Sequence, residues 1–305
     1  MTSILREESG AAAPHVCLRF ASSARIHATI SKITSTYYHE GITQEAVLVF
    51  SILIDSEEEE LVGDAGFAGS LMAFLSRIAG SGAMVMDVET EGQIVELLFG
   101  IATKIRLKPD ILPVWFVSRV HDEERVREDV NATSFVGAAH KEDFPLFYLL
   151  LHYVHHEGSV GDFARTGLLY IIESASHSED LEGWIIESDL ATLMASGLGA
   201  LYSQLSRYGR SKTFILTSSS LTHQSKLVIS FSKEEIPAVL VLSDYSTPQP
   251  VSEAEVSTSP EFRGHMDTFL SYLIFWQDVL EHCRSVEVKQ TLFDHFQILF
   301  LQQLL

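Results

Sequence analysis

The chain has 305 residues, 41 of them acidic and 21 basic, and a formal net charge of −20 with its 13 His counted neutral. That balance argues against nucleic acid, whose phosphates are held by clustered Lys and Arg that displace counterions. It also argues against a polybasic grip on anionic membrane, while leaving room for a local basic patch. Apolar residues at 46% exclude a disordered chain and are enough for one or two packed domains.

The polar start, Met1 to Ala13, carries Glu7 and Glu8 and lacks the charged-then-apolar design of a signal peptide, so 1–13 is expected to be disordered. The strongest apolar run, Ala46 to Ile54, falls far short of the roughly 20 residues that cross a bilayer, and a soluble protein is expected. Two cysteines, Cys17 and Cys283, exclude a disulfide-built secreted scaffold and read as reduced core residues of a cytosolic protein. In that setting the sequon Asn131-Ala132-Thr133 stays unglycosylated. Glu57 to Glu60, inside Asp55 to Asp64, read as a solvated helix end or loop.

From there helical periodicity dominates. Gln93 to Ile105, Phe147 to Val154 and Phe163 to Ile172 read as short, buried helices. Pro109 and Pro113 mark the exit from one of them, and Pro145 before Leu146 fits the first turn of another. Ser176 with Glu179 fits a capping box. Leu190, Leu193, Met194, Leu198, Leu201 and Leu205 form one stripe in steps of three and four. Met266, Phe269, Leu270, Leu273, Trp276, Leu280 and Cys283 form a second, and Leu292, Phe296, Leu299, Phe300 and Leu304 a third. Helices of about 10 to 20 residues joined by short turns describe an all-α protein. No strict array period is present, and an irregular α-solenoid of stacked helical hairpins fits.

The stretch 207–261 breaks the pattern: Ser/Thr-rich first, then extended-looking over Leu227 to Phe231, then Pro248, Pro250 and Pro260 among acids. It reads as a long loop or linker between a helical body over 14–206 and a helical hairpin over 262–305. Within it, 208–224 looks inserted, with locally basic Tyr208-Gly209-Arg210-Ser211-Lys212 followed by Ser218-Ser219-Ser220. An ordinary surface loop and translated non-coding sequence fit equally well.

Signals for chemistry are sparse. His152 and His156 are four apart and would share a helix face, the arrangement of two zinc ligands, but position 153 is Tyr where a zincin carries Glu. The bland reading, surface or interhelical hydrogen-bonding His, is preferred, and no metal, cofactor or catalytic residue is assigned. Gly197-Leu198-Gly199 resembles the start of a dinucleotide loop, yet it follows a helix pattern and lacks the third glycine, so close helix contact is expected there instead. Phe144, Phe147, Tyr148 and Trp184 are interface-type aromatics for which a core role is favoured.

Four segments together resemble the FHIP family, the FTS- and Hook-interacting proteins, and most of all its filamentous-fungal members. They are Phe144-Pro145-Leu146-Phe147-Tyr148-Leu149-Leu150, Gly161-Asp162-Phe163-Ala164-Arg165-Thr166-Gly167-Leu168-Leu169, Trp184-Ile185-Ile186-Glu187-Ser188-Asp189-Leu190 and Gly197-Leu198-Gly199-Ala200-Leu201-Tyr202-Ser203. Phe269-Leu270-Ser271-Tyr272-Leu273 with Trp276-Gln277-Asp278-Val279-Leu280-Glu281 extends the resemblance, which runs from about residue 14 to the end. The resemblance implies an α-solenoid cargo adaptor without enzymatic activity. Such an adaptor joins a Hook protein and FTS, meets an early-endosomal Rab GTPase and, indirectly, dynein–dynactin. It would be cytoplasmic and peripheral on early endosomes through its partners only. No partner-binding residue carries over, because the family has no short motif. Family members are much longer, so Leu299, Phe300 and Leu304 are expected to lack a covering helix and to promote self-association. The runner-up is a helical metal-dependent hydrolase using His152 and His156; another membrane-trafficking scaffold ranks third.

Overall fold

A computed structural model describes residues 2–9, 15–36, 39–56, 59–80, 87–117, 141–216, 227–230, 239–242 and 260–302. They divide into a larger unit, 1–201 with 267–305, and a smaller one over 202–266. Among the described residues the fold is all-α except for one short strand pair.

The larger unit opens with α1 (Thr2–Ser9), α2 (Val16–Ser23), α3 (Ile26–Thr36) and α4 (Glu40–Asp55). The expectation of a disordered 1–13 is therefore corrected over 2–9. Leu5 of α1 is buried, and the Glu8 carboxylate accepts from the amides of Cys17 and Leu18, so α1 caps the start of α2. Cys17 is also corrected, being exposed, whereas Cys283 is buried.

After α4 come α5 (Glu59–Val62), α6 (Ala65–Gly80) and α7 (Val88–Leu107). Asp87 caps α7, accepting from the Glu89 amide, the Thr90 hydroxyl and the Gln44 amide. α7 packs against both α4 and α10 (Gly158–Ser174). Its buried residues form one broad face that serves both neighbours: Ile94, Val95, Leu97, Leu98, Ile101, Ala102 and Ile105 are all buried. Gly167 permits the close approach, since a Cβ there would meet Leu150 at 3.2 Å and the Phe99 backbone at 3.5 Å. Arg106 closes the rim, pairing with Glu173 at 2.7 Å and lying over the Tyr170 ring at 4.2 Å.

Past α7, Pro109 opens a 3-10 turn and Pro113 sits in the first turn of α8 (Leu112–Trp115). Pro145 is the first residue of α9 (Pro145–Tyr153), as its fixed φ favours. α11 (Glu179–Glu187) is capped by Ser178, whose hydroxyl accepts from the Leu181 amide. The capping box expected at Ser176 with Glu179 is therefore not formed: Ser176 lies in a 3-10 turn and donates to the Glu173 carbonyl, and the cap sits two residues later. α12 (Leu190–Leu216) begins in this unit, and most of α13 (Pro260–His282) with α14 (Val286–His295) completes it.

The aromatics behave as core. Trp184 meets Phe116, Phe144, Phe147 and Tyr148 edge-on at 5.1 to 5.8 Å, with Phe144 and Phe147 fully buried. At the far end Trp276 packs on Phe296, and Phe296 on Phe300, each at 5.3 Å. That contact revises the expected bare stripe. Phe300 is buried and Leu299 partly so, while Phe293 of α14 and Ile298 and Leu301 of the π-helical turn that continues it (Phe296–Leu301) are exposed. Leu304 lies outside the described residues.

In the smaller unit α12 (Leu190–Leu216) runs on helically past 207, so the loop expected there begins no earlier than 217. β1 (Leu227–Ser230) pairs antiparallel with β2 (Val239–Leu242), Leu227 opposite Leu242 and Ser230 opposite Val239. The first residues of α13 (Pro260–His282) close the unit. Residues 217–224 of the segment read as inserted, and the sequon at Asn131, lie outside the described residues.

Candidate functional site

The richest polar geometry of the larger unit surrounds the turn that joins α9 to α10. α9 ends at Tyr153, and the turn is held by the His156 amide donating to the Tyr153 carbonyl at 3.0 Å. The carbonyls freed at the helix end need partners, and the buried Arg165 supplies them. Its Nη1 donates to Val154 O at 2.7 Å and reaches His156 O at 3.5 Å; its Nη2 pairs with Asp162 Oδ1 at 2.7 Å. Gly161 is required beside this clamp, because a Cβ there would fall 2.0 Å from the His156 carbonyl oxygen.

His155 points from the same turn against α12 and α13. Its ring lies 4.7 Å from the Tyr272 ring, centroid to centroid, and its buried Nε2 has no hydrogen-bond partner among the described residues. Burial pushes its pKa down to about 4, with Arg165 and the two neighbouring His adding to the effect. It is a neutral imidazole wedge. Gly197 makes the room: a Cβ there would stand 1.7 Å from His155 Nε2. The close helix contact expected at Gly197 is thus corrected: the glycine makes room for a side chain from a turn, and nothing lies within 4 Å of a Cβ at Gly199. Tyr272 completes the joint by donating its hydroxyl to the Met194 carbonyl at 3.3 Å, and burial drives its pKa well above the phenol range.

His152 and His156 are near each other but do not share a helix face, since the helix stops between them. Their ring centroids are 6.2 Å apart, His152 is exposed, and His156 Nδ1 is 3.8 Å from Glu91 Oε1. Desolvation lowers the His156 pKa against the pull of Glu91, and pushes Tyr153 up to about 12. Among the described residues no three His, Cys, Asp or Glu side chains converge as a metal site.

Beside the Arg165 clamp an open cleft of about 270 Å³ runs between α10 and α13. α10 contributes Asp162, Arg165, Thr166 and Leu169; α13 contributes Ser271, Ile274, Phe275 and Asp278. In the sequence Arg165, Ser271 and Asp278 stand only within segments of family resemblance and carry no assigned role. The signal was present as spacing, since 162, 165, 166, 169 and 271, 274, 275, 278 are each one helix face. No signal, however, could tell that the two faces meet. Among the described residues no helix is long and apolar enough to cross a membrane.

Comparison with known proteins finds relatives over more than half of the chain. Over 194 residues, 62% of this chain, the sequence is 26% identical to an FHIP family protein of Drosophila virilis, and the match covers 18% of that relative. An FHIP family protein of Drosophila melanogaster is 27% identical over 193 residues, again 62% of this chain and 18% of the relative. The mouse FHF complex subunit HOOK-interacting protein 1A is 26% identical over 162 residues, 53% of this chain and 13% of its own length. The matched stretch thus spans less than a fifth of these relatives. The family model for RAI16-like, retinoic acid induced 16-like, proteins matches residues 17–305, and the chain belongs to the RAI16-like (FHIP) family.

Proposed function

We propose that the chain is a non-enzymatic helical scaffold, part of an α-solenoid, that acts as the FHIP-type subunit of an FHF-like complex. The observation that carries this reading is the family match across residues 17–305. The printed name of the mouse relative, a subunit that interacts with HOOK, indicates the kind of partner. The complete assembly contains a Hook adaptor and an FTS homologue, meets an early-endosomal Rab GTPase, and reaches dynein–dynactin indirectly. It works in the cytoplasm at the surface of early endosomes. The polar geometry supports a scaffold. Arg165 is spent on helix-end carbonyls and Asp162, and His155 is a neutral wedge, so both hold helices together rather than face a substrate.

Affinity purification of the tagged full-length gene product tests it. Recovery of Hook and FTS homologues is the expected result, and their absence under conditions that preserve the complex refutes the reading. Changing His152 and His156 together to Ala leaves that recovery intact, which a metal-hydrolase site would not be asked to do.

A further inference from the structure

We propose that the cleft between α10 and α13 is a docking groove for a basic amphipathic helix of a partner protein. This deepens the scaffold reading above and rests on it. Leu169, Ile274 and Phe275 supply an apolar floor, and Ile274 is 58% exposed, unusual for an Ile beside a concavity. Leu270, Ile274 and Asp278 follow in steps of four, so the exposed face of α13 continues for about 12 Å, two turns of helix.

Charge selects the occupant. Arg165 and Asp162 pair with and offset each other, so the charge open to an incoming group at the cleft is that of Asp278. Asp267 and Glu281, both exposed on α13, add to it, in a chain of net charge −20. Thr166 and Ser271 offer hydroxyls at the rim. An apolar stripe edged by carboxylates is complementary to a helix with Leu-type residues at i and i+4 flanked by Lys or Arg, whose aliphatic stems lie on the floor while their charges reach the acids. The cleft is smaller than the roughly 300–1,000 Å³ of small-molecule sites. A second copy of the chain fits poorly, because a two-fold contact through this groove sets Asp278 against itself.

The probe is a synthetic helix of about 18 residues, roughly five turns, built of Leu and Lys in an amphipathic pattern and read by fluorescence anisotropy. A control peptide replaces every Lys by Glu. The 305-residue chain is expected to bind the Lys peptide and not the Glu peptide. Ile274→Glu and Asp278→Lys, both at the surface, are expected to weaken the Lys peptide about tenfold or more with the thermal midpoint unchanged. Equal binding of the two peptides, or binding of the Lys peptide unaffected by both substitutions, overturns the proposal. So does loss of a wild-type dimer in Ile274→Glu by light scattering, since the occupant would then be a second copy. Co-purification separates this failure from failure of the scaffold reading. If Hook and FTS homologues are recovered equally with wild type and both variants, the groove proposal falls and the scaffold stands. If neither is recovered while the peptide still binds in the groove, the scaffold reading falls alone.

Discussion

Gly197 and Gly199 are two residues apart on one helix and are expected to respond to Ala with opposite signs. Helix propensity alone favours Ala over Gly by about 1 kcal/mol. At Gly199 nothing lies within 4 Å of the position a Cβ would take, so Gly199→Ala is expected to be neutral or stabilising by up to that amount. At Gly197 the new methyl would coincide with the His155 ring, and the overpacking is expected to cost about 1–3 kcal/mol in denaturant unfolding. His155 itself gives a pH signature. Its folded pKa, about 4, lies below its ordinary value of 6.5, so the unfolded chain takes up a proton that the native state refuses. Its share of stability is complete above pH 6.5 and is lost as the pH falls from there towards 4. His155→Phe should flatten that part of the stability profile, and an unchanged slope would contradict the wedge assignment. Arg165→Met keeps much of the stem but orphans the Val154 carbonyl, with an expected loss of about 2–4 kcal/mol.

Among the elements, the caps make the simplest case. Ser178 accepts from the Leu181 amide, and Ser178→Ala is expected to lower stability by about 1 kcal/mol, whereas Ser176→Ala should cost less because Ser176 caps no helix start. Equal losses at the two serines would restore the capping box expected from the sequence. The two-residue shift arises because Ala175–His177 wind as a 3-10 turn before α11 begins. On the last helix, Phe293 and Ile298 are 52% and 54% exposed. Concentration-dependent self-association in sedimentation is therefore expected, and Phe293→Ser with Ile298→Ser should reduce it. Periodicity identifies an amphipathic helix, but Leu299 and Phe300, expected to be bare, are the residues that turn inward. Period alone names two faces; only the position of Trp276 decides that Phe296 and Phe300 turn inward.

For the whole molecule, helical class was legible because the steps of three and four at Leu190 to Leu205 and Met266 to Cys283 have no competing alternation. Pro145 announced the start of α9, and Leu227 to Phe231 announced β1, each by a local backbone preference. The core role of Phe144, Phe147 and Trp184 was legible as a preference, since large aromatics in helical proteins mostly fill interhelical space. The helix at Thr2–Ser9 was missed because its helicity rests on tertiary support, the burial of Leu5 and the hold of Glu8 on α2, more than on its polar residues. The site was least legible. His152 and His156 drew attention by their spacing, yet the helix ends at Tyr153, and the residue that matters to packing is His155 between them. Its role depends on Gly197 and Tyr272, which are 42 and 117 positions away in the chain. By itself the sequence determined the helical class, the turns and helix start set by Pro and, through its resemblance, the family. Tertiary structure alone decided that α10 and α13 face each other across a cleft, that His155 is buried neutral, and which stripe of the last helix stays exposed. Local patterns report what a backbone segment prefers within a few turns, whereas these features come from contacts between segments far apart in the chain.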